Sequence, residues 1–127
     1  INYSEISDWQ TKVLELTDGK GVDLALEISW VDIGKTIEGM KLGGKIVVVG
    51  LLGGATANLS VFGIMQKSLS ILGIQVGPKS SFVAMNKAIE DYNIKPVIDK
   101  TYSLSQLSEA LHYFEKGNHF GKIVINF

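Results

Sequence analysis

The sequence predicts an α/β fold built on a doubly wound, mostly parallel sheet flanked by helices. Three observations carry this reading. Two apolar strand signals, residues 22–28 and 46–49, lie on either side of a helix signal. Further strand signals then alternate with helical stretches to the C-terminus. Alternation at this length implies crossover connections between parallel strands. The 127 residues, 46% of them apolar and 20% charged, are expected to form one globular domain over positions 1–127.

The elements follow in order. Ile1, Asn2 and Tyr3 read as the tail of a short strand. Ser7 with Gln10 forms a capping-box pattern. Trp9, Val13 and Leu16 then recur at helical spacing, and Gly19 stops the helix. Residues 22–28 form a strand that is apolar on both faces, as a strand covered on both sides would be. A helix over 32–41 carries the stripe Ile33, Ile37 and Met40, and Gly43 and Gly44 end it. Residues 46–49 are a β-branched strand between glycines.

Beyond the Gly50–Gly54 loop, a helix from about Ser60 carries Val61, Ile64, Met65 and Leu69. A third strand spans 70–76, from Ser70 to Val76, with Gly73 as a bulge within it. Ser81 caps a helix with the face Phe82, Met85, Ala88, Ile89 and Tyr92, and Pro96 forbids its continuation. Residues 97–102 are extended. Ser103 and Gln106 make a second capping box before Leu107, Ala110, Leu111 and Phe114. Gly117 ends that helix, and 122–127 is the last strand.

Composition narrows the function. A net charge of −1 gives no electrostatic reason to expect nucleic acid or an anionic membrane as a partner. No apolar run is long enough to span a bilayer, and no leader pattern is recognisable at the start. The absence of cysteine excludes disulfides, thiolate zinc sites and a cysteine nucleophile within these residues. A cytoplasmic setting is expected.

Motifs narrow it further. Residues 39–45 match a phosphate-binding loop as far as its lysine, but Ile46 offers no hydroxyl for magnesium. The order is also reversed, with a helix before the glycines and a strand after them, so no helix N-terminus would face a phosphate. No Gly-x-Gly-x-x-Gly fingerprint is present: Gly19 and Gly21 are followed by Leu24 at the third position. The Gly50–Gly54 loop lies just after a strand, where open α/β sheets bind ligands. Its glycines serve either close approach of a ligand or a tight turn. Glu27, near the end of a buried strand, needs a partner; a ligand hydroxyl or a helix N-terminus would supply one. His112 and His119 lack companions at metal-ligand spacing and read as surface histidines.

Four stretches together resemble the zinc-type alcohol dehydrogenases of the medium-chain dehydrogenase/reductase superfamily. Gly19-Lys20-Gly21-Val22-Asp23 with Leu26-Glu27 is similar to the entry to the fourth strand of that family's Rossmann domain. Residues 42–50, Leu-Gly-Gly-Lys-Ile-Val-Val-Val-Gly, resemble the fifth strand, and residues 72–77, Leu-Gly-Ile-Gln-Val-Gly, the sixth. Residues 94–99 and 119–124 resemble the C-terminal return.

The resemblance implies a partial Rossmann-like fold, the C-terminal half of a nicotinamide-cofactor domain. The catalytic barrel with its zinc ligands and the first Rossmann strands would lie outside these residues. By family position, loop backbones at Ile28 and Ser29, at Val49, Gly50 and Leu51, and at Val76 and Gly77 would approach the nicotinamide and its ribose, and Lys122 the phosphates. The implied cofactor is NAD or NADP, bound weakly or not at all by this chain alone. No catalytic or metal-ligating residue is assigned. Trp30 departs from the family, which has small residues just after the fourth strand.

The implied parent reaction is hydride transfer between an alcohol or carbonyl carbon and nicotinamide. The implied partners are a second copy, paired through residues 70–76, and a separate N-terminal half. The alternative is a non-catalytic remnant serving oligomerisation or interaction.

Overall fold

The computed structural model describes residues 1–127, which fold as two compact units, Ile1–Val76 and Gly77–Phe127. In the first, α1 (Trp9–Leu16) occupies the predicted residues. The Ser7–Gln10 capping box does not form: Asp8 stands at the N-cap without a side-chain bond. Both residues contact the next helix instead, Gln10 through its side-chain amide and Ser7 through its backbone carbonyl. Gln10 Nε2 donates to Glu38 Oε2 at 3.3 Å, and the Ser7 carbonyl accepts from Lys35 Nζ at 2.9 Å. At the other end, the Gly19 N–H donates to the Leu14 carbonyl at 2.8 Å and closes the helix.

Strand β1 (Val22–Glu27) is entered through Gly21, at φ +80°. A Cβ there would lie 2.6 Å from the Met40 carbonyl carbon, so only glycine lets the two backbones meet. Helix α2 (Ile33–Gly39) is shorter than expected, and Met40 already belongs to β2 (Met40–Val48). The cause is a side-chain cap. Lys67 Nζ donates to the carbonyls of Ile37, Glu38 and Met40 at 3.2, 2.5 and 2.9 Å. A cation there satisfies the carbonyls that a helix leaves unpaired at its C-terminus. Gly43 and Gly44 therefore do not end the helix. They lie in a bulge of β2, where Met40 opposes Val22 and Lys45 opposes Leu24.

Helix α3 (Val61–Gln66) is capped by Ser60, whose hydroxyl accepts from the Gly63 N–H at 3.4 Å. Strand β3 (Ser70–Gly73) pairs with β2 without a register shift, so Gly73 closes the ladder and is not a bulge. Beyond it the Ile74 N–H still reaches the Val48 carbonyl at 3.0 Å.

The three strands form a parallel sheet in the order β1-β2-β3. Ile33, Ile37, Met40 and Ile46 are its buried core, so the predicted α2 stripe is the centre of the unit. The expectation that β1 is covered on both sides does not hold: Leu24 and Leu26 are 56% and 64% exposed. β1 is an edge strand, and a ladder on one side only cannot enclose it.

In the second unit, α4 (Lys79–Asp91) begins before Ser81, with Pro78 at the N-cap. Proline there forgoes no helical bond and presets the backbone for entry. The helix ends before Pro96: Asn93 takes φ +49°, and the Ile94 N–H donates to the Ile89 carbonyl at 2.9 Å. Strands β4 (Ile98–Ser103) and β5 (Lys122–Asn126) pair in parallel as a sheet of their own. Between them the Ser103 N–H donates to Gln106 Oε1 at 3.1 Å, as the second capping box predicts, and leads into α5 (Leu107–Glu115). Tyr102 and Ala110 are buried where α5 meets this sheet. No helix is long and apolar enough to cross a membrane.

Candidate functional site

Parallel pairing brings the carboxyl ends of β1, β2 and β3 to one rim of the first unit. Backbone bonds then tie the segments after β1 and β2 together. The Val49 N–H donates to the Glu27 carbonyl at 2.9 Å, Leu52 to Ile28 at 3.1 Å and Gly53 to Ser29 at 2.9 Å. Ile28, Ser29, Val49, Gly50 and Leu51 are thus brought together. Val76, 91% exposed, is the last residue of this unit. Gly77 and Lys122 belong to the second unit. A Cβ on Gly77 would stand 3.3 Å from Ser81 Cβ, and the exposed Lys122 opens β5 with its N–H on the Val97 carbonyl at 2.9 Å.

The two readings of the Gly50–Gly54 loop resolve by position. At Gly50 a Cβ would lie 2.8 Å from the Ile28 carbonyl oxygen. At Gly53 it would collide with the Val31 side chain and lie 2.5 Å from the Ser29 carbonyl oxygen. These glycines serve contact between the loop and the end of β1. The N–H groups of Gly50 and Leu51 have no internal acceptor, so the rim keeps two unpaired backbone donors.

Glu27 is 8% exposed and has found its partner within the chain. Its Oε1 accepts from the N–H groups of Ser29 and Trp30 at 3.2 and 3.0 Å, and its Oε2 from the Thr36 hydroxyl at 2.8 Å. Burial pushes this carboxyl up, but the bonds from Trp30, Thr36 and Ser29 outweigh it and hold the group below its ordinary value. The carboxylate pins the turn into α2. Trp30, in that turn, has φ +67°, a conformation that glycine adopts freely and a bulky side chain does not. Its indole packs against the core of Ile33, Ile37, Met40 and Ile46. Thr36 and Lys67 carry local geometry that sequence periodicity did not single out. Their partners lie 9 to 30 positions away, and no short motif records that spacing.

Beside the rim, a cleft of about 620 Å³ runs between Ile1, Tyr3, α1 and the face of β1, with Trp9, Val13, Ala25 and Leu26 among its walls. Residues 39–45 show the helix-then-strand order that excludes a phosphate loop. In the second unit, Asp99 accepts from the Tyr113 hydroxyl at 2.8 Å and from the Phe120 N–H at 3.4 Å. His112 Nδ1 meets the Ser108 carbonyl at 2.7 Å, and His119 stacks on Phe114 with ring centres 5.1 Å apart. No three His, Asp or Glu side chains are grouped to hold a metal ion.

Known proteins share this architecture. The sequence profile of the zinc-binding dehydrogenases matches residues 1–125. A zinc-type alcohol dehydrogenase-like protein of Schizosaccharomyces pombe is 34% identical over 98% of this chain and 38% of its own length. An NAD-dependent alcohol dehydrogenase of Saccharolobus solfataricus is 29% identical over 98% of this chain and 36% of its own length. Among solved structures, one assigned to the alcohol dehydrogenases of Sinorhizobium meliloti superposes with a TM-score of 0.85 at 34% identity, covering 94% of this chain and 35% of that one. The chain thus spans a little over a third of the length of the relatives it matches. With the parallel sheet, the glycine-lined rim and this likeness along nearly its whole length, the chain belongs to the zinc-binding dehydrogenase family.

Proposed function

We propose that this chain is the C-terminal portion of the cofactor domain of an NAD(P)-dependent, alcohol dehydrogenase-like oxidoreductase, and that its rim faces the nicotinamide end of the cofactor. The observation that carries the reading is the rim itself. Loops after parallel strands converge there, as ligand sites in open α/β sheets do, and Gly50 and Leu51 present unspent N–H donors. A nicotinamide carboxamide is a neutral group that such backbone donors suit. The cofactor would carry the hydride; the chain's part is to hold the ring's polar edge and shield one face. Glu27 takes no direct part, because its oxygens are engaged within the turn. A cytoplasmic setting is part of this proposal.

Affinity is expected to be low. A dinucleotide draws much of its binding from a glycine-rich turn at a helix N-terminus, and residues 1–127 contain no such turn. The expected dissociation constant for NAD(H) or NADP(H) is weaker than about 1 mM. Titration of the labelled chain with NADH, followed by amide chemical shifts, tests the assignment. Changes centred on Ser29, Gly50 and Leu51 support it. Changes elsewhere, or none well above about 1 mM, would overturn it.

The second reading, an interaction module, is favoured by one observation. β1 and β3 both present an unpaired edge with exposed apolar side chains, among them Leu24, Leu26 and Leu72. Such edges invite a further strand. On this reading the β1 edge and its neighbouring cleft receive a separate N-terminal half, and the β3 edge receives a second copy.

A further inference from the structure

We draw no further inference here: the strongest candidate, the apolar face of α4 formed by Phe82, Met85, Ile89 and Tyr92, carries nothing because nothing in the structure shows what covers it.

Discussion

Replacing Glu27 with leucine removes the acceptor that pins the turn after β1. Four donors depend on it: the Ser29 and Trp30 N–H groups, the Thr36 hydroxyl and, at 3.5 Å, the Ser29 hydroxyl. Thr36 is 8% exposed, so its hydroxyl has little access to water. Each donor left unpaired in such a place costs about 1–3 kcal/mol. Ser29 and Trp30 are only partly buried, and water recovers part of their loss. The expected net destabilisation of Glu27→Leu is therefore about 3 kcal/mol, or about two decades in the unfolding equilibrium.

Glu27→Gln keeps one carbonyl oxygen for the two amides and an amide group that the Thr36 hydroxyl can accept from, so it should cost about 1 kcal/mol. Urea unfolding followed by tryptophan fluorescence measures both. A leucine variant within about 0.5 kcal/mol of the parent would refute the assignment of Glu27 as the pin, since that is the range of a surface substitution. The same carboxylate predicts a pH dependence. Its folded-state pKa lies below the ordinary value of 4.5. Its contribution is therefore complete above that value and is lost as pH falls through the lower, folded one. Glu27→Gln should flatten this part of the acid limb of the stability curve.

Further outcomes follow from single contacts. Lys67→Met removes three bonds to the C-terminus of α2 and should cost about 1–2 kcal/mol, with faster amide exchange in the last turn of that helix as the readout. Gly50→Ala places a methyl 2.8 Å from the Ile28 carbonyl oxygen, so the loop must shift; a loss of about 1–3 kcal/mol is expected, and amide shifts confined to Gly50 itself would show that the contact is unimportant. In the parallel ladder the Glu27 carbonyl faces β2, so the Leu24 and Leu26 N–H groups point to the outer edge of β1. Rapid hydrogen exchange there is expected in a monomer; slow exchange would reveal an added strand. Light scattering on the parent and on Gln75→Pro tests pairing through the β3 edge, because the Ile74 N–H is spent inward on Val48 and the next N–H faces outward; a monomeric parent, or a dimer indifferent to proline, would end that proposal.

Much of the α/β arrangement was legible without coordinates, because it follows from local rules. Apolar periodicity placed α1 and the C-terminal end of β2, and the Ile33–Ile37–Met40 stripe named three of the four core residues. Reversed element order ruled out a phosphate loop, and the Ser103–Gln106 pattern marked a real cap because both partners sit within one turn. Long-range partners decided the rest. Ser7 and Gln10 satisfy the capping pattern locally, yet the Gln10 side chain turns to Glu38 of α2, 28 positions away. Lys67 ends α2 from a distant helix terminus, and β2 consequently starts at Met40. Composition marked β1 as a fully covered strand, but exposure depends on neighbours, and in this sheet β1 has one. Whether the loop glycines met a ligand or their own chain was likewise a matter of distance. Gly50 and Gly53 face the end of β1, Glu27 is occupied by its own turn, and what the rim leaves unpaired is two backbone donors that no residue type announces.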